Sequence, residues 1–372
     1  MSSVQLDQIC KRLAGQDVLR NVNLEIESGE YVVLLGRSGT GKTTLLRLIA
    51  GLDHPDSGSI QIAGTPQGAK PPQRRDVAMM LQGDTLYPHL TVRQSIALPL
   101  RGNTPRDEIR LRVDEAAERV GIKQLLDRSP DQLSGGERRR AALAKVTLRQ
   151  TSVRLLDEPL SGIDASLAHS LSWHLAQLQD EQGCTIHVTH DGREAMLLAD
   201  RIAVLGEGRI LQFDTAEKLY DDPVHRDVAD ALGSPPINWL HVGQIAAEVE
   251  CVPEPLTSSF APNVLDDSSD RQRICVGVRP ERIRLTGVEA GTTAGLVMRG
   301  QVMHHSTMGE HSVTLVRVGD QWLSVVDRSA THLGPLTRNT NVKLSIETHD
   351  LLWFDPTSGQ RIDEPEQVSA PR

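Results

Sequence analysis

Residues 31–49 constrain the fold more than any other part of the chain. YVVLL (31–35) is apolar at every position, as a parallel strand covered on both faces must be. It runs straight into GRSGTGKT (36–43), and then into a helix whose Leu45, Leu46, Leu48 and Ile49 form one buried stripe. Gly51, with Pro55 beyond it, is expected to stop that helix. Strand, glycine loop and helix in this order form one unit of a layered α/β core. The glycines let successive N–H groups face a phosphate, and the helix N-terminus adds positive potential. Gly36, Arg37, Ser38, Gly39, Thr40, Gly41, Lys42, Thr43 and Thr44 are therefore the candidate nucleotide-binding residues. Lys42 is expected on the β- and γ-phosphates of ATP, and the Thr43 hydroxyl on Mg²⁺.

A second apolar strand ends in Leu155, Leu156, Asp157 and Glu158. Acids at the carboxyl edge of such a strand lie where open α/β sheets bind their ligands. Asp157 is the expected Mg²⁺ ligand, directly or through water, and Glu158 the expected base for the attacking water. Arg154 is discordant in this strand and is read as a side chain snorkelling from near the strand's start.

Elsewhere, residues 4–9 and 18–26 alternate in polarity, which predicts antiparallel strands with one wet face. From about 84 to 150 the pattern is helical, with Ile109, Val113, Ala116, Ala117 and Val120 on one face. Strand-like runs return at 153–156, 185–189 and 201–205, and GEGR (206–209) turns the last into a hairpin. Helical periodicity fades near Ala231, and GSPP (233–236) reads as a linker. Short strand-like segments at 274–278, 282–285, 311–318, 322–326 and 342–346 then predict a small all-β domain of barrel type. Residues 253–273 read as a polar loop. The expected division is 1–235, with its helical part at about 84–150, followed by 236–372.

A formal charge of -9 argues against sequence-independent nucleic-acid binding, which needs a basic surplus. No apolar run approaches the ~20 residues that span a bilayer, and MSSVQLDQ lacks the flank and apolar stretch of a secretion signal. A role at a membrane would require docking onto partners that cross it. The scattered Cys10, Cys184, Cys251 and Cys275 read as reduced thiols. His304, His305 and His311 read as strand and turn residues rather than a metal site.

LSGGE (133–137) makes the pattern specific. Preceded by the glycine loop and followed by LLDEP (155–159) and VTH (188–190), it resembles the ATP-binding cassette ATPases. The resemblance implies a P-loop core with antiparallel-β and helical subdomains. It also implies that Ser134, Gly135 and Gly136 begin a helix whose first N–H groups, with the Ser134 hydroxyl, meet the γ-phosphate of ATP held by a second subunit. The working unit would then be a homodimer, or a pair with a closely related ATPase. Glu137 stands where the family commonly has glutamine. By the same resemblance, Gln82 touches Mg²⁺ and the water, His190 contacts the γ-phosphate, and Asp164 in SGID (161–164) lies on a loop linking the two sites. Leu13 stands where the family usually stacks an aromatic ring on adenine, which implies weaker ATP binding.

LYPHLTVRQSIALPL, DEPLSGIDASL, GSPPINWL, VGVRPERIRL and LLWFDPTSGQRI are similar to the importer ATPases for maltose and related sugars. That branch implies a C-terminal oligonucleotide/oligosaccharide-fold-like (TOBE) region for dimer contact and regulation. Two transmembrane permease subunits would bind near Tyr87, Pro88 and His89, on the cytoplasmic face of the membrane, and would be fed by a periplasmic or extracellular solute-binding protein. Polyamine, ferric iron, glycerol 3-phosphate and sulfate importers share these motifs and stay open. A soluble cassette ATPase of DNA repair or translation would be expected to carry coiled-coil insertions or a second cassette. A regulatory protein whose β domain sequesters a transcription factor is the third alternative.

Overall fold

The computed structural model of the chain describes residues 2–81, 86–102, 104–176, 183–241, 249–251, 275–287, 295–309, 311–328 and 336–363. Two compact units emerge, Met1–Asp222 and Pro223–Arg372.

The first unit opens with two long antiparallel strands, β1 (Ser2–Leu13) and β2 (Gln16–Glu27). Val22, Leu24 and Ile26 of β2 are buried between exposed neighbours, the one-wet-face pattern its alternation predicts. β3 (Tyr31–Leu35) enters a different sheet and runs through the glycine loop into α1 (Lys42–Ala50). β4 (Ser57–Ile62) and β5 (Thr65–Pro66) return to the first sheet, whose order is β2-β1-β4-β5. β6 (Val77–Met80) precedes three helices, α2 (Val92–Ala97), α3 (Arg106–Arg119) and α4 (Gly135–Thr147). Then come β7 (Val153–Asp157), α5 (Ala165–Ala176), β8 (Cys184–Thr189), α6 (Gly192–Leu198), β9 (Arg201–Gly206), β10 (Arg209–Asp214) and α7 (Ala216–Asp221). The second sheet has the order β10-β9-β3-β8-β7-β6, parallel throughout except for β10.

Burial explains these assignments. β3, β7 and β8 are buried at every position, as strands sandwiched between layers are. Leu45, Leu46, Leu48 and Ile49 of α1 share a core with Val32, Leu34, Leu155 and Ile186, each such side chain contributing roughly 1.5–3 kcal/mol. α1 ends at Gly51, whose φ of 78° lets its N–H reach the carbonyls of Arg47 and Leu48. β9 and β10 form the expected hairpin, turning on Glu207 (φ 49°) and Gly208 (φ 75°).

Two sequence expectations need correction. Arg154 does not snorkel: it is 8% exposed and donates from Nη1 to Thr185 Oγ1 on β8 at 3.3 Å, because a strand flanked on both sides leaves its side chain no path to water. The run 282–285 is not all strand; a 3-10 turn occupies Pro280–Arg282, as the fixed φ and missing N–H of Pro280 favour. α4 starts at Gly135 with Ser134 as its N-cap.

The second unit contains α8 (Arg226–Ala231), then β11 (Asn238–Leu240), β12 (Val249–Cys251), β13 (Cys275–Val278) and β14 (Arg284–Thr286). β15 (Leu296–Met308), β16 (His311–Val318), β17 (Gln321–Asp327), β18 (Asn341–Ile346) and β19 (Leu351–Phe354) complete it. They form a three-stranded sheet, β11-β13-β19, and a larger one, β14-β18-β15-β16-β17, with β12 paired to β15. Val278, Leu296, Val316, Leu323, Leu344 and Ile346 are in the core of this unit. The unit begins ahead of the 233–236 linker because Arg279 Nη1 donates to the carbonyls of Ala229 and Leu232 at 2.9 and 2.8 Å, fastening α8 to the β strands. His304 bonds Ser306 Oγ and His305 bonds Thr314 Oγ1, at 2.8 and 2.9 Å. The loop expected at 253–273 lies outside the described residues.

Candidate active site

β8 lies between β3 and β7, so the carboxyl ends of these three parallel strands stand side by side, where ligands of open α/β sheets bind. β3 delivers the glycine loop, β7 delivers Asp157 and Glu158, and β8 delivers His190.

The loop has two geometric requirements for glycine. Gly39 and Gly41 sit at φ 83° and 102°, a region disfavoured for residues with a Cβ. Gly36 is required for space instead: a Cβ there would lie 2.4 Å from the carbonyl oxygen of Leu205. Lys42 folds back over the loop, donating from Nζ to the carbonyl oxygens of Gly36 and Arg37 at 2.7 and 2.8 Å. Burial pushes its pKa down, with Glu158 and Asp157 acting in the opposite direction.

Thr43 Oγ1 donates to Asp157 Oδ1 at 3.2 Å. Asp157 is 1% exposed, and its Oδ2 has no hydrogen-bond partner among the described residues. Burial raises its pKa, while the Thr43 hydroxyl pulls the other way. A hydroxyl beside a buried carboxylate with an unused oxygen is the hard donor set that suits Mg²⁺.

Glu158 follows in a left-handed conformation, φ 49°, with its N–H donating to Val188 O at 2.9 Å. A non-glycine residue held there costs of order 1–3 kcal/mol. The turn brings Glu158 Oε1 to 3.4 Å from His190 Nδ1.

The start of α4 is capped by its own residues. Ser134 Oγ accepts from Glu137 N at 3.3 Å, and Glu137 Oε2 accepts from Ser134 N at 2.7 Å. This capping box uses the Ser134 N–H and one lone pair of its hydroxyl oxygen, leaving the O–H available as a donor, and the Ser134 N–H holds the Glu137 carboxyl below the usual range. The N–H groups of Gly135 and Gly136 remain in a first turn that offers them no helical acceptor.

The structure thus brings Lys42, Thr43, Asp157, Glu158 and His190 to one sheet edge. Leu13 lies on the other sheet, at the end of β1 opposite Gln16, and is 44% exposed. Asp164 precedes α5, its carbonyl accepting from Ala168 N at 2.7 Å. Tyr87 is 46% exposed, edge-on to His89 at 5.9 Å, with Lys145 Nζ 4.8 Å from its ring centroid. Gln82 lies outside the described residues.

Sequence reasoning missed a buried polar chain beneath His190. Tyr31 Oη hydrogen-bonds His187 Nδ1 at 2.9 Å, His187 Nε2 is 3.0 Å from Glu194 Oε1, and Thr189 Oγ1 donates to Glu194 Oε2 at 2.6 Å. Thr189 Oγ1 in turn accepts from Asp191 N at 3.1 Å, fixing the peptide after His190. The alternation Thr185, His187, Thr189 in an otherwise apolar strand was the available signal.

Comparison with known proteins identifies the family. Residues 19–161 match the ABC transporter family, and residues 276–354 match the TOBE domain. The chain is 45% identical to the trehalose/maltose import ATP-binding protein MalK of Thermococcus litoralis, over 97% of this chain and 100% of that one. It is 40% identical to the trehalose import ATP-binding protein SugC of Mycobacterium tuberculosis (99% and 100% covered). It is 36% identical to the osmoprotective compounds uptake ATP-binding protein GgtA of Synechocystis (95% and 98% covered). A solved dimer of the ATP-binding cassette MJ0796, in a post-hydrolysis state with ADP and Pi, is 28% identical with a TM-score of 0.53, covering 57% of this chain and 98% of that one. The chain belongs to the ABC transporter family and is an ATPase of that family.

Proposed function

We propose that this chain hydrolyses ATP to drive import of a sugar or oligosaccharide. It works as a homodimer on the cytoplasmic face of a membrane, beneath two permease subunits supplied by a solute-binding protein. The assembly of Lys42, Thr43, Asp157, Glu158 and His190 at one strand edge carries the reading. Likeness along nearly the whole chain to proteins named for trehalose, maltose and osmoprotectant uptake supports the solute class.

The loop N–H groups and Lys42 grip the β- and γ-phosphates. Thr43 Oγ1 and Asp157 would hold Mg²⁺, which when bound neutralises charge on the phosphate oxygens. Glu158 accepts the proton of the attacking water, and its strained turn aims the carboxylate along the sheet edge. His190 steadies that carboxylate and presents its ring to the γ-phosphate. The N–H groups of Gly135 and Gly136 from the second copy close the pocket on the terminal phosphate, so binding assembles the dimer and hydrolysis opens it. No helix among the described residues is long and apolar enough to cross a membrane, which fits a subunit that docks onto spanning partners.

Reconstitution with the neighbouring permeases and binding protein in proteoliposomes tests this. ATP hydrolysis should rise when the binding protein is loaded with a di- or oligosaccharide. Stimulation by a polyamine, ferric iron, sulfate or glycerol 3-phosphate instead would reassign the solute, and no coupling to any permease would remove the transport reading.

A further inference from the structure

The helix that carries the glycine tip also grips the loop that follows the catalytic carboxylate of its own chain. Arg139, one turn into α4, donates from Nη1 to the carbonyl oxygen of Ser161. Ser161 N–H in turn donates to the carbonyl oxygen of Glu158 at 3.3 Å. Two hydrogen bonds therefore connect the signature helix to the peptide of the general base. The backbones are close at the same place: a Cβ on Gly136 would lie 3.4 Å from Gly162 O, and a Cβ on Gly162 would lie 3.7 Å from Arg139 Nη1. Gly162 sits at φ 72°, which bends the loop around the guanidinium.

We propose that Arg139 is a positioning residue that couples the two catalytic pockets of the dimer, an inference resting on the dimeric reading above. In that dimer, the tip of α4 meets the γ-phosphate in the partner's pocket while Arg139 holds Ser161 beside its own. One rigid helix, held at Arg139, thus sets both the loop that aims Glu158 of its own chain and the glycine tip that completes the partner's pocket. Loosening that hold disturbs both pockets. Arginine suits the task because its planar fork fixes direction as well as distance, and its charge is not lost at working pH.

Mixed dimers of full-length protein separate coupling from local damage. In a pair of Arg139→Ala with Glu158→Gln, the working pocket belongs to the Arg139→Ala chain. In a pair of wild type with the double variant Arg139→Ala/Glu158→Gln, the working pocket is wild type, and only the helix completing it is altered. Coupling predicts that both pairs lose turnover by about fivefold or more relative to wild type paired with Glu158→Gln. ATP KM should stay within about twofold, and Arg139→Lys should restore part of the loss. Unchanged turnover in the second pair overturns the proposal and confines Arg139 to its own pocket. A parallel rise in KM, or a fall in melting temperature with no rescue by lysine, also overturns it in favour of a structural role. Glu158→Gln alone should form an ATP-dependent dimer; failure there would strike the dimeric reading rather than Arg139.

Discussion

Glu158 Oε1 lies 3.4 Å from His190 Nδ1, although helix α5 separates the two strands that deliver them. The contact exists because β7 and β8 are parallel neighbours, with Asp157 paired to Val188, so both chains leave the sheet at the same edge. A carboxylate and an imidazole in this relation can share the work of holding and deprotonating one water.

Glu158→Gln should lower turnover by about 10²–10⁴ while ATP still binds and a closed dimer accumulates. Phosphate release and light scattering in the presence of ATP check both halves. Lys42→Ala should fail earlier, at nucleotide binding, because the group gripping the phosphates is gone.

Asp157 gives a pH-dependent prediction. Burial raises its folded pKa above the ordinary 3.8, so the folded state holds its proton more tightly than the unfolded chain does. No penalty exists below the unfolded value, and stability falls as pH rises through the folded value. Asp157→Asn should therefore raise the melting temperature at neutral pH without nucleotide or divalent cation. The advantage over wild type should vanish as pH drops into the ordinary carboxylate range. An Asp157→Asn protein that melts like wild type at neutral pH would contradict this.

Leu13 is 44% exposed at the end of β1. Leu13→Tyr should tighten ATP binding by about five- to a hundredfold, the equivalent of ~1–3 kcal/mol of base stacking. Calorimetry on the Glu158→Gln background, where ATP persists, measures it. An unchanged affinity would place the adenine away from β1.

Gly36→Ala and Gly135→Ala form a matched pair. The first puts a methyl 2.4 Å from Leu205 O, whereas the second meets nothing within 4 Å. Gly36→Ala should destabilise the first unit by about 1–3 kcal/mol and weaken nucleotide binding. Gly135→Ala should fold like wild type, and comparing the two melts with and without ATP tests the contrast.

The βα unit around the glycine loop, the acids at the end of β7 and the helix beginning at Ser134 were all legible before any coordinates. Each depends on neighbours in sequence: apolar runs, glycines at fixed spacing, a serine followed by two glycines. Arg154 was misread because its partner, Thr185 on the neighbouring strand, comes beside it only through strand pairing between segments distant in sequence. The Tyr31–His187–Glu194 chain was invisible because its members meet only across the sheet and its covering helix.

Sequence alone determined which chemistry this protein carries, since the residue types that hold phosphate and activate water are strung along it in a diagnostic order. Tertiary structure alone decided which of them meet. Strand order places β8 between β3 and β7, and no periodicity along the chain encodes that adjacency, because parallel neighbours are chosen by packing between segments far apart in sequence.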